Sequence, residues 1–186
     1  LNSKSVNFEI EPSISKNTKI VHLVSGDFQY IKRFLPISLA SSLNYAEEDF
    51  VFHVHVVNPD EEISTNLKTI SSFVPHLGVS TRQYPQWQMQ RPRLAAERFL
   101  MVEKILEKYQ LPVIITDIDI AMKRKWQSTI RNKLGKTDFA LARAKQLLNR
   151  TINRPWSVNA QTVYIAPSPL GLKFATLLQK YVEMTI

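Results

Sequence analysis

Two aspartates one residue apart, Asp117 and Asp119, follow directly on the apolar, β-branched run Val113 to Thr116. A run this short and apolar reads as a strand buried on both faces. Extended backbone puts residues i and i+2 on one side, about 6–7 Å apart, so the two carboxylates would face the same way and repel. Near a protein interior one of them would hold its proton unless a positive charge stood between them. Hard divalent cations suit such a pair: Mg²⁺ or Mn²⁺ is held by few carboxylates, with phosphate oxygens of a ligand completing the shell. The spacing therefore points to a metal and a phosphate-bearing ligand. The plain alternative is a strand end whose acids face water.

Arg98 is the second residue of interest. Leu94, Met101, Val102, Ile105 and Tyr109 recur at helical spacing and predict a sheet-facing stripe, with Arg98 inside it. An unpaired guanidinium is too costly to bury. A partner is expected among Asp117, Asp119 and Asp138, with a bound diphosphate or sugar as a further anion. His53 and His55 share one face of another strand, but no third ligand stands at a useful spacing. Core or rim partners are expected for them rather than zinc.

The elements that must position these groups follow from periodicity. Strands are predicted over 19–24, running into Ser25-Gly26-Asp27, and over 50–57, 79–84, 113–118, 137–142 and 162–165. Helices are predicted over 30–45, 61–73, 91–109 and 168–182, the last with Ser168 as N-cap and Pro169 in its first turn. Strands and helices alternate, so an α/β fold is expected, with a Rossmann-like, mostly parallel sheet and helices on both faces. One domain would cover 19–186, preceded by a polar, patternless arm over 1–18. Ligands of such folds bind beyond the carboxyl ends of the strands. Ser25-Gly26-Asp27 and Asp117-Ile118-Asp119 would then share a rim.

Composition sets the outer bounds. The 186 residues are 44% hydrophobic and 22% charged, ordinary for a globular chain. Without cysteine there are no disulfides, thiolate metal sites or cysteine nucleophiles. The net charge of +8 favours anionic partners. The densest basic run, Lys123 to Lys125 with Arg131, Lys133 and Lys136, comes without a nucleic-acid motif. It is read as a solvated face, and no nucleic acid is expected. No apolar run reaches the roughly 18 residues of a membrane span, and no signal-peptide pattern opens the chain. A cytoplasmic location is the expectation, with an upstream targeting segment left open because the chain starts at Leu1.

The stretches VHLVSGDFQYIKRFLPISLASSL, HVHVVNP, RFLMVEKIL, LPVIITDIDIAMKR and VNAQTVYIAPSPLGLKFATLLQKYV occur here in this order. Together they resemble the GT-A-fold glycosyltransferases, the nucleotide-diphospho-sugar transferases with a DxD motif. The resemblance covers nearly the whole chain from residue 19. It implies that Asp117 and Asp119 hold Mn²⁺ or Mg²⁺ against the donor's diphosphate, with Asp117 also near the ribose. It implies a nucleoside site at Ser25, Asp27 and Tyr30, and places Arg98 near the diphosphate and sugar. Asp138, Asn159 and Ala160 would line the sugar pocket; Gln161 replaces a glycine usual in relatives. The acceptor would be a glycan, lipid or protein. Relatives continue past the last helix into acceptor-binding elements and often a metal-binding histidine, whereas this chain ends at Ile186. A fragment or a minimal site is therefore expected, and no catalytic base is named.

Two other readings compete with this one. A phosphatase of the haloacid-dehalogenase type also places its nucleophile after a strand, in a D-x-D-x-Thr/Val pattern. Ala121 occupies the Thr/Val position here, and no later acidic pair appears. The non-enzyme reading is a catalytically incomplete nucleotide-sugar or polyanion-binding module.

Overall fold

Val and Ile crowd the strands that have neighbours on both sides. The computed structural model describes residues 6–85, 91–143 and 158–185, without the side chains of 91, 92, 142, 143 and 158–160. In chain order the elements are β1 (Asn7–Ile10), β2 (Val21–Asp27), α1 (Phe28–Asn44), β3 (Val51–Val57), α2 (Glu61–Phe73) and β4 (Leu77–Arg82). There follow α3 (Arg91–Tyr109), β5 (Val113–Thr116), α4 (Gln127–Leu134), β6 (Phe139–Arg143), β7 (Val158–Ile165) and α5 (Pro169–Thr185). The sheet order is β1-β4-β3-β2-β5-β7-β6. The four strands β4, β3, β2 and β5 are parallel. The flanks turn antiparallel, β1 on β4, β7 on β5 and β6 on β7. Parallel neighbours need crossovers, which α1, α2 and α3 supply.

Side chains alternate across the sheet and fill two cores. Val24, Phe52, Val54 and Ile114 pack under α1 and α2. Val21, Leu23, Val113 and Ile115 pack against α3 and α5. The α/β expectation, with a mostly parallel sheet covered on both faces, therefore holds. Two elements differ from the sequence reading. Part of the expected arm forms β1, which pairs with β4. The basic run continues into α4, whose hold on the domain is tertiary. Gln127 Oε1 accepts from the backbone N–H groups of Glu47 and Glu48 at 2.5 and 2.9 Å, and Trp126 packs edge-on against Phe50.

The register decides what meets at the rim. Val21 pairs with Val113 and Leu23 with Ile115, so β2 and β5 deliver Asp27 and Asp117 to the same edge.

Candidate functional site

Where β2 gives way to α1, Asp27 is the N-cap, and its Oδ1 accepts from the Tyr30 N–H at 2.8 Å. The cap satisfies a backbone donor that the helix leaves open and fixes the first turn. From that turn the Tyr30 hydroxyl donates to Asp119 Oδ2 at 2.9 Å. This bond pushes the Tyr30 phenol pKa up, and burial adds to the rise.

The two carboxylates are not arranged by strand pleat, as the sequence spacing implied. β5 ends at Thr116, and a turn follows in which the Ile120 N–H bonds to Asp117 O at 3.2 Å. Ile118, 1% exposed, plugs the core beneath. With the middle residue anchored inward, Asp117 and Asp119 are left on the rim. The apolar residue between the acids is what orients them.

Arg98 reaches this turn from α3. It is 8% exposed, and its Nη1 lies 2.5 Å from Asp117 Oδ1. Burial raises the Asp117 pKa; Arg98 opposes the rise, the Asp119 charge adds to it, and the carboxyl ends above its usual value. Between these groups lies a cavity of about 640 Å³, a size typical of small-molecule sites. Ser25, Asp27 and Tyr30 line one side, Leu94 and Arg98 another, and the Asp117–Asp119 turn a third. Ser25 Oγ and Arg98 Nε are buried with no hydrogen-bond partner among the described residues.

A hard divalent cation fits this donor set with help from its ligand. Two carboxylates stand on one rim, and the repulsion between them contributes to the raised Asp117 pKa. Among the described residues no cluster of three or more His, Asp or Glu could hold a metal. Oxygens of a bound ligand and water would have to complete the shell.

No family model and no curated protein matches the sequence. Solved structures do match. The apo structure of the bifunctional glycosyltransferase WbbM overlays with a TM-score of 0.61 at 13% identity, over 93% of this chain and 35% of that one. The glycosyltransferase GlyE of Streptococcus pneumoniae TIGR4 gives 0.59 at 17% identity, over 91% of this chain and 39% of that one. Apo mouse xyloside xylosyltransferase 1 gives 0.53 at 13% identity, over 90% of this chain and 74% of that one. The fold is that of the glycosyltransferases. The chain spans less than two-fifths of the length of GlyE and WbbM.

Within this glycosyltransferase fold, Ser25, Asp27, Tyr30, Arg98, Asp117 and Asp119 come together around one cavity. Asp138 does not. Phe139 and Val113 both pair with Ile165, so Asp138 lies near the start of β5, at the end of the sheet away from Asp117. Four residues of strand separate those levels, roughly 13 Å at about 3.3 Å each. Its carboxylate instead accepts from Ser168 Oγ at 2.5 Å, beside the start of α5. Expecting Asp138 in the sugar pocket is therefore corrected: β5 and β6 both pair antiparallel with β7 and so run the same way, and Asp138 precedes the first residue of β6, at the end opposite the carboxyl rim. Asn159 and Ala160 sit in β7 toward the rim, but their side chains are outside the described residues. Gln29, Leu94 and Ala95 also line the cavity. The helical stripe already contained Leu94; nothing in the local pattern marked Gln29 or Ala95.

The neighbour of Arg98 on α3 serves a second cluster. Glu97 is 0% exposed and accepts from Arg82 Nη1 at 2.7 Å and from the Tyr84 hydroxyl at 3.0 Å. His55 Nε2 lies 3.2 Å from Glu97, and Ser80 Oγ bridges His55 Nδ1 and His53 Nε2 at 2.9 and 2.8 Å. Tyr109 closes the chain on His53 Nδ1 at 2.8 Å. Gly78 makes room for that contact, since a Cβ there would meet the ring nitrogen and the hydroxyl at 2.7 Å. Burial raises the Glu97 pKa, but the hydrogen bonds from His55 and Tyr84 and the Arg82 charge outweigh it and hold the carboxyl below its usual range. Burial lowers the pKa of both histidines. His53 and His55 are thus core-partnered, as expected.

Proposed function

We propose that this domain transfers a sugar from a nucleotide-diphosphate donor to an acceptor hydroxyl, with a divalent cation at Asp117 and Asp119. The observation that carries this reading is the convergence of two carboxylates, a buried arginine and an unpartnered buried serine on one cavity. The glycosyltransferase fold supports it.

Each residue has a physical task. Asp27 and the α1 first turn shape the side of the cavity that would take the nucleoside, with Tyr30 as an aromatic wall. Ser25 Oγ offers a buried hydroxyl, and Arg98 a positive charge where a diphosphate would lie. In the transfer, the acceptor oxygen bonds to the anomeric carbon as the bond to the diphosphate breaks. The bonding pair leaves with the nucleoside diphosphate, and the acceptor proton passes to a base or to water. Asp117 and Asp119 would hold Mg²⁺ or Mn²⁺, which would supply positive charge against the diphosphate.

Among the described residues no cluster of three or more His, Asp or Glu could hold a metal, and that favours a second reading: a nucleotide-sugar-binding module without turnover. A thermal-shift panel of nucleoside diphosphates and nucleotide sugars, with and without Mn²⁺, tests the shared claim. Metal-dependent upward shifts support it, and a flat panel in both conditions opposes it. Release of free sugar from the donor, absent without metal, separates transferase from binder.

A further inference from the structure

Helix α5 has a polarity that the cavity does not explain. Its inner face, Gly171, Ala175 and Val182, is buried and packs with α3 in the second core. Its outer face is also apolar. Leu170, Leu177, Tyr181 and Met184 recur at helical spacing and are 52%, 56%, 66% and 87% exposed. An exposed apolar stripe of this extent, even interrupted by charges, is normally covered by something. Phe139, on edge strand β6, stacks on Phe174 with centroids 4.1 Å apart and is itself 37% exposed. The patch therefore continues from the helix onto the sheet edge.

Lys173 and Lys180 fall within the same outer stripe, and neither makes an ion pair among the described residues. Glu183, the helix's one acid, accepts from Gln179 at 2.9 Å. These lysines discriminate among occupants. A protein partner would have to strip water from two ammoniums, and lysine is depleted in protein interfaces for that reason. A second copy packed through the same face would bring four lysines together on a chain of net charge +8. At a bilayer surface the leucines, tyrosine and methionine enter the acyl boundary while the lysines reach up to the headgroups.

We propose that α5 docks this domain on anionic membrane surfaces, lying in the interface plane rather than crossing it. No helix among the described residues is long and apolar enough to cross a membrane. α5 starts beside Asp138 and runs antiparallel to α3, to which Thr176 bonds through Glu103. Tyr181 and Met184, the most exposed of its apolar residues, therefore lie at the end of α5 nearer the rim that carries the cavity. The inference stands independently of the proposed reaction.

Co-sedimentation of the full chain with phosphatidylcholine vesicles, with and without phosphatidylserine, tests it at physiological salt. Binding is expected only with phosphatidylserine. Lys173→Gln with Lys180→Gln should lower it about thirtyfold, equivalent to about 1 kcal/mol per lysine. Leu177→Asn with Met184→Asn should weaken it similarly, and Lys133→Gln with Lys136→Gln, in and just after α4, should leave it within about twofold, since single charges away from the bilayer are screened. All three variants should keep the wild-type circular dichroism, because the altered side chains face solvent. Equal binding to neutral vesicles, or none to either, overturns the proposal. So does binding that survives both α5 variants, or a dimer that Leu177→Asn with Met184→Asn dissociates.

Discussion

Glu97 and Arg98 are adjacent on α3, and each enters an arginine–carboxylate pair, yet the pairs do different work. Glu97 and Arg82 are 0% and 6% exposed in their side chains and are roofed by two tyrosines and two histidines. Asp117 is 25% exposed and faces a cavity of about 640 Å³ with Arg98. Both guanidiniums leave Nε without a partner among the described residues. An orphan nitrogen therefore does not mark a site by itself. What separates the pairs is the space beside them and the second carboxylate, Asp119. The sealed cluster fixes α3 on β3 and β4; the open one is available to a ligand.

Acid should break the sealed side first, with the largest effect. His53 and His55 have pKa values depressed by burial, and His22, hydrogen-bonded to Thr116 at 2.7 Å, is depressed to about 3. Folded pKa values below the unfolded one mean that the unfolded chain takes up protons the folded chain refuses. That stability is fully present above about pH 6.5 and is lost as pH falls toward the folded values. The two histidines of the sealed cluster contribute about 2.7 kcal/mol per pH unit, and His22, which packs outside that cluster against Phe52 and Trp126, brings the slope toward about 4. Urea midpoints at pH 7 and pH 5 check this, and equal midpoints would contradict it.

Glu97→Leu comes next. It strands the Arg82 charge in the core and should cost about 3–5 kcal/mol in urea unfolding. Arg98→Leu should cost less, about 1–3 kcal/mol, because Asp117 can turn to water or take a proton. The same substitution should weaken nucleoside-diphosphate binding at least tenfold, whereas any Glu97 variant that still folds should bind nearly normally. If the stability ranking of the two is reversed, the division into sealed and open pairs is wrong. Tyr30→Phe should have the smallest effect, under about 1 kcal/mol, since it removes one exposed hydrogen bond to Asp119. A larger loss would mean that Tyr30 is structural rather than a wall of the cavity.

Much of this was legible in the sequence. Buried β-branched runs announced β3 and β5, and the helical stripe announced Arg98 as a buried residue facing an acid. Glu97 lies three residues after Leu94 and four before Met101, inside the same stripe, so the sealed pair was legible too and was missed. β1 and α4 were hidden for a different reason: their pairing and packing partners are remote in sequence. Asp138 stands at the start of the predicted strand 137–142, and a strand running with β5 puts its start away from the carboxyl rim, so its place was legible and was missed. The Asp117–Asp119 turn was read as pleat because a buried Ile118 is apolar in either geometry.

Calorimetry of UDP and GDP binding, with and without Mn²⁺, on wild type and on Asp119→Asn tests the central claim most directly. Metal and nucleotide should tighten each other by the same factor, and Asp119→Asn should abolish that coupling while leaving stability unchanged or slightly raised through lost repulsion with Asp117. Nucleotide binding that is indifferent to both the metal and the substitution would contradict the assignment of this rim as a metal–diphosphate site.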